Sequence, residues 1–92
     1  NHSYLVVEPN FTFRLKGHAG AHKVFLAGDF DDWSNNSLAM KKEGDEWVYS
    51  VHLSAGKHLY KFIVDDIWVI DPSNPLWEQN EQNTGNSIVW ID

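Results

Sequence analysis

Residues 58–70 read HLYKFIVDDIWVI: two apolar runs separated only by Asp65 and Asp66. Two polar turn residues between β-prone runs predict a hairpin with a two-residue turn. Val64 then pairs with Ile67, Ile63 with Trp68, Phe62 with Val69 and Lys61 with Ile70. Cross-strand partners share a face, as do alternate residues of one strand. One face therefore carries Tyr60, Phe62, Val64, Ile67 and Val69 and is expected to be core. The other carries Leu59, Lys61, Ile63, Trp68 and Ile70. Lysine is rarely fully buried, so this second face, with Trp68 on it, is expected to be exposed or covered only by a ligand.

The flanking segments repeat the period-2 pattern. FTFRL (11–15) puts Phe11, Phe13 and Leu15 on one side, and WVYSVHL (47–53) puts Trp47, Tyr49, Val51 and Leu53 inward with Val48, Ser50 and His52 outward. KVFLAGDF (23–30) is mostly apolar, as a central strand is, and SIVWI (87–91) closes the chain. GHAGAH, SNNS, KKEGDE, SAGK, DPSNP and EQNEQNTGN read as turns or loops. No helical periodicity or internal repeat interrupts this. The expected fold class is all-β, a β-sandwich of about seven short antiparallel strands.

At 92 residues the chain is one small domain with one core and no room for a deep enclosed cavity. It has no cysteine, hence no disulfide and no thiolate metal site. A net charge of −6 argues against a nucleic-acid backbone as partner, since phosphate binding needs clustered Lys and Arg. No stretch approaches the 18 or so apolar residues of a membrane span, and no basic region followed by an apolar one reads as a signal peptide. The first residue is Asn1, so a processed product or a segment of a longer protein is expected. No cofactor is called for.

Tryptophan is the compositional anomaly, at five residues in 92. Trp47 alternates with core residues and belongs inside. Trp90 is expected in core or edge packing, and Trp77, after Pro75, falls in a loop, where a lid over the core is one reading and its role is left open. Trp33 lies in GDFDDWS (28–34), a polar turn. Its acids do not fit a calcium loop, which would need Gly at the sixth position and Glu at the twelfth; Ser34 and Met40 stand there. A glycosidase carboxylate pair would need a cleft that so small a domain hardly offers, so Asp31 and Asp32 are read as turn formers. His18 and His22 are four apart, but across a glycine-containing turn rather than on a helix; with the scattered His2, His52 and His58 they give no metal or nucleophile constellation. Trp33 and Trp68 remain as flat faces suited to stacking on a pyranose ring. Lys61, Asn83, Thr84 and Asn86 can hydrogen-bond its hydroxyls.

VFLAGDFDDWS, GKHLYKFIVDDIW, DPSNP and NTGNS, in that order, resemble the glycogen-binding domain of the AMP-activated protein kinase β subunit, within carbohydrate-binding module family 48. The same family accompanies α-amylase-type enzymes such as branching enzyme, isoamylase and pullulanase. The resemblance covers Phe11 to Asp92. It implies an immunoglobulin-like β-sandwich that binds α-1,4-glucans, with Trp33, Lys61, Trp68, Thr84 and Asn86 as the carbohydrate-binding residues. Two departures stand out. The loop Leu76–Gly85 is about one residue longer, and Gln82 stands nearest the place of the family's wedging leucine, a contact that Trp77 could supply instead.

The expected organisation is an extension or linker over residues 1–10 and a carbohydrate-binding sandwich over residues 11–92. The expected function is non-catalytic binding of α-glucan (glycogen, starch or malto-oligosaccharide), targeting a larger protein to polysaccharide. The alternative is an interaction domain of the same fold that packs on other domains of a parent protein and binds sugar poorly.

Overall fold

Asp65 and Asp66 both have positive φ, 47° and 73°, the geometry of a type I′ turn, whose twist matches that of the strands it joins. Val64 pairs with Ile67, Ile63 with Trp68 and Phe62 with Val69, as the sequence predicts. The fourth pair, Lys61 with Ile70, does not form. The chain leaves the ladder after Val69, and the next amide but one, that of Asp71, donates to Ser87 Oγ at 2.8 Å.

The computed structural model describes residues 8–92. Among them are nine strands: β1 (Phe11–Lys16), β2 (Val24–Gly28), β3 (Leu38–Ala39), β4 (Lys41–Glu43), β5 (Glu46–Val51), β6 (Gly56–Val64), β7 (Ile67–Val69), β8 (Trp77–Gln79) and β9 (Gly85–Ile91). One sheet has the order β1-β5-β4; the other has β3-β2-β6-β9-β8, with β7 beside β6, and every pairing is antiparallel. The short strands β3, β4 and β8, two or three residues each, bring the number above the expected seven or so; they lie in, or next to, segments that read as turns or loops. Of the expected extension over residues 1–10, residues 1–7, with His2, lie outside the described residues. Asn10 exchanges two hydrogen bonds of 2.9 Å with the Leu53 backbone.

The two sheets meet at one core. Phe13 and Leu15 of β1 and Trp47 of β5 pack with Leu26 of β2, Tyr60 and Phe62 of β6 and Val89 of β9. The Phe13 and Tyr60 rings meet edge to face at 4.7 Å across the sandwich. β2 is flanked by β3 and β6, as its apolar composition predicts. Trp47 is buried as expected, and its indole N–H donates to the His18 carbonyl at 2.9 Å.

Three expectations about faces need correction, and one open alternative is decided. Ile67, assigned to the core, is 66% exposed: β7 is paired on one side only, leaving Ile67 at the sheet edge beside the turn. Ile63, assigned to the open face, is buried between its cross-strand partners Phe25 and Trp68. Val48 also faces outward yet is buried, with Arg14 and Lys41 on either side, whose aliphatic stems can cover it. Trp90 takes no part in the core. It is 63% exposed, on a stretch of β9 that β8 does not reach.

Candidate functional site

The five residues that the family resemblance implies as carbohydrate-binding, Trp33, Lys61, Trp68, Thr84 and Asn86, all line one open concavity of about 550 Å³. It lies on the outer face of the larger sheet. Tyr60 pairs with Ser87, and both are buried toward the core; Lys61 and Asn86, next to them, therefore point the other way. Trp68, paired with Ile63, shares the Lys61 face and is 42% exposed. The hairpin register alone thus places Lys61 and Trp68 together.

Trp33 reaches the concavity through the GDFDDW turn, in which every residue has a local reason. A Cβ on Gly28 would run into the Phe30 ring and lie 2.6 Å from the Leu59 carbonyl oxygen. Phe30 plugs the turn into the core, stacked on Phe13 at 5.8 Å. Asp29 accepts from the Leu59 amide at 3.0 Å, and Asp31 accepts from the Gly28 amide at 2.9 Å. The Trp33 amide closes the turn on the Gly28 carbonyl at 2.9 Å. Asp32 and Trp33 sit in the left-handed region, φ 57° and 58°, a costly conformation for tryptophan that the surrounding bonds hold in place. Asp31 is a turn former, as expected. The acids of this turn do not line the concavity; among the described residues Glu81 is its one acidic side chain. That arrangement has no carboxylate pair for glycoside hydrolysis.

The loop after β8 supplies the polar side. Asn80 is its knot. Its side-chain oxygen accepts from the amides of Gln82 and Thr84, both at 3.0 Å, and its nitrogen donates to Thr84 Oγ1 at 2.6 Å and Asn86 Oδ1 at 3.4 Å. Lys61 Nζ donates to Thr84 Oγ1 at 3.1 Å. Lys61, Thr84, Asn80 and Asn86 are thus one connected set of donors and acceptors, and partial burial pulls the Lys61 ammonium pKa below its ordinary value. Asn86 lines the concavity and is buried at its floor, its Oδ1 accepting from Asn80 Nδ2.

Leu59, Asn80, Glu81 and Gln82 also line the concavity and were not singled out as site residues. Leu59 was readable from its alternation with Lys61; Asn80 gave no signal, because its role depends on the loop closing back on it. Trp77 does not supply the missing apolar contact. It pairs with Ser87 and so faces the opposite way, where its Cε3 atom lies 3.1 Å from where a Gly85 Cβ would stand. Behind the floor, a buried network fixes β9. Tyr60 donates to Asp71 Oδ2 at 2.6 Å, and Asn74 Nδ2 donates to Tyr60 Oη at 3.0 Å and to the Ile88 carbonyl at 2.8 Å. Burial, then the bond to Asp71, holds the Tyr60 hydroxyl well above its ordinary pKa. These bonds account for DPSNP as a strut under Ser87 and Asn86.

A family model described as the glycogen recognition site of AMP-activated protein kinase matches residues 11–91. The human 5'-AMP-activated protein kinase subunit beta-2 is 42% identical over 77 residues, covering 84% of this chain and 28% of that protein. The subunit beta-1 of Sus scrofa is 35% identical over 79 residues, 86% of this chain and 61% of that protein. The chain thus spans less than two thirds of either relative. It belongs to the family of glycogen recognition sites of AMP-activated protein kinase and is a non-catalytic glycogen-binding module.

Proposed function

We propose that the concavity takes a segment of α-1,4-glucan, as found in glycogen, starch or malto-oligosaccharides. Trp33 and Trp68 stack on the apolar faces of its sugar rings, and Lys61, Thr84 and Asn86 bond its hydroxyls. The observation that supports this reading is the convergence of two aromatic faces and one hydrogen-bonded polar set from four separate segments on a single open surface. An open groove with stacking platforms suits a polymer that enters and leaves at both ends. The carbohydrate-binding unit is taken as residues 11–92, and its role as carrying a larger protein to polysaccharide.

Calorimetry with maltoheptaose or β-cyclodextrin tests this, with cello-oligosaccharide as control. The α-glucans should bind with a Kd on the order of 10 μM to 1 mM, or about −4 to −7 kcal/mol, and the β-linked control should not. No heat with any α-glucan at millimolar concentration would refute it.

A second reading, packing against another domain of a parent protein, draws on Ile70, Leu76 and Trp77. They are 38%, 53% and 55% exposed, and Ile70 and Trp77 both close on Gly85, away from the concavity. A domain built only for this would leave Trp33→Ala and Trp68→Ala without effect on sugar.

A further inference from the structure

Trp90 is the most exposed indole among the described residues, at 63%, and neither the core nor the concavity uses it. A lone exposed apolar residue would need no explanation, but Trp90 does not stand alone. Along the outer face of β6 and β9 the rungs run from Lys61 beside Asn86, to Leu59 paired with Ile88, to Lys57 paired with Trp90. Leu59 already lines the concavity, so the next rung after the rim is the one that carries Trp90. Trp90 lies four residues beyond Asn86 on one strand, roughly 13 Å at about 3.3 Å per residue.

The ground between is polar-flanked rather than bare. Lys57 Nζ bonds Glu78 Oε1 at 2.5 Å, with both side chains about two-fifths exposed. Lys57 is opposite Trp90 and Glu78 opposite Asn86, so this ion pair crosses β9 at Ile88. The strip thus repeats the composition of the concavity: an apolar floor of Leu59 and Ile88, charged hydrogen-bonding heads beside it, and a flat ring at its far end.

We infer that the glucan-binding face continues past the concavity along β9, with Trp90 as a second stacking platform for the same α-glucan chain and Lys57 and Glu78 bonding the hydroxyls between. This rests on the α-glucan reading of the concavity. Short oligosaccharides fill the concavity alone; longer chains reach Trp90, and affinity rises with length for that reason.

The test is the length dependence of binding, comparing maltotriose, long linear malto-oligosaccharides and glycogen on the wild-type chain, Trp90→Ala, Trp90→Phe and Trp68→Ala. The wild type should gain roughly tenfold between maltotriose and the long chains. Trp90→Ala should remove most of that gain, as loss of an aromatic anchor does, Trp90→Phe should keep a good part of it, and Trp68→Ala should weaken both lengths. The indole N–H signal of Trp90, identified in Trp90→Phe, should shift with the long chains and stay still with maltotriose. If the wild type binds α-glucans and Trp90→Ala keeps the full gain, or weakens every length equally, the extension is wrong while the concavity stands. If no α-glucan binds the wild type, both readings fall together.

Discussion

Asp29 and Leu59 bond each other twice. The Asp29 amide donates to the Leu59 carbonyl at 3.1 Å, and the Leu59 amide donates to the Asp29 carboxylate at 3.0 Å. The pair joins the turn that presents Trp33 to the strand that carries Lys61 two residues later. This clamp ties the backbone of the Trp33 turn to the backbone of β6.

Asp29→Ala should therefore loosen Trp33 without touching it. A hydrogen bond to a charged group contributes about 1.5–3 kcal/mol, less here because the Asp29 side chain is 37% exposed. We expect a stability loss of about 1 kcal/mol together with a several-fold loss of α-glucan affinity, whereas Asp29→Asn, which keeps an acceptor for the Leu59 amide, should recover most of the affinity. Melting and titration of the two variants check this; equal affinity in Asp29→Ala and wild type would show that the turn holds without the clamp.

Asp29 also takes His58 Nδ1 at 3.1 Å, while His58 Nε2 lies 2.8 Å from the Ser54 carbonyl. Desolvation lowers the imidazole pKa, but the Ser54 bond and then the Asp29 bond and charge outweigh it, leaving the pKa above 6.5. A folded-state pKa raised above the unfolded one gives stability that is fully present below the unfolded value and lost as pH rises through the folded value. The Tm difference between wild type and Asp29→Asn should be larger at about pH 5.5, a unit below the ordinary imidazole pKa, than at alkaline pH. A difference that is flat or grows with pH would contradict the assignment.

Gly28→Ala should be among the most damaging single-methyl changes in the chain. The added Cβ meets the Phe30 ring and the Leu59 carbonyl. The ring cannot retreat, since it is stacked on Phe13, and the carbonyl is held by Asp29. Overpacking of this kind costs about 1–3 kcal/mol; it should lower Tm and sugar affinity together. Gly44→Ala, where a Cβ meets nothing within 4 Å, is the control for loss of a positive-φ glycine (φ 65°) without the clash.

The contrast between Ile67 and Lys61 marks how far the sequence could be read. Alternation and a two-residue turn decide which side of a sheet a residue takes, so the Lys61–Trp68 face and the hairpin register were legible. They do not decide what covers that side. Ile67 is on the core side but at an unpaired edge, Ile63 is on the open side but between Phe25 and Trp68, and the choice between core and edge for Trp90 waits on where β8 ends. The set that lines the concavity was legible partly through the family's ordered motifs. Asp29 was not, because it bonds a backbone amide thirty residues away that only the fold brings near, and Asn80 was not, because its bonds to the Gln82 and Thr84 amides depend on the local turn the loop adopts.

Trp68 and Trp47 separate affinity from stability. Trp47 is 7% exposed, packs in the core and donates its indole N–H to the His18 carbonyl. Trp47→Ala leaves a cavity and an unpaired carbonyl and should destabilise by about 3–5 kcal/mol, a large share of the 5–15 kcal/mol or so that such a domain has. Trp68 is 42% exposed on the other face, with the buried Ile63 as its cross-strand partner. Trp68→Ala should therefore cost some stability, about 1 kcal/mol by partly uncovering Ile63, but about 2 kcal/mol or more of α-glucan binding if it is a central stacking platform. Trp33→Ala should follow Trp68→Ala in affinity. Thermal melting reads the first quantity and calorimetric titration the second. Should Trp68→Ala melt the domain as badly as Trp47→Ala while leaving affinity per folded molecule unchanged, Trp68 would be a packing residue and the sugar would have to stack elsewhere.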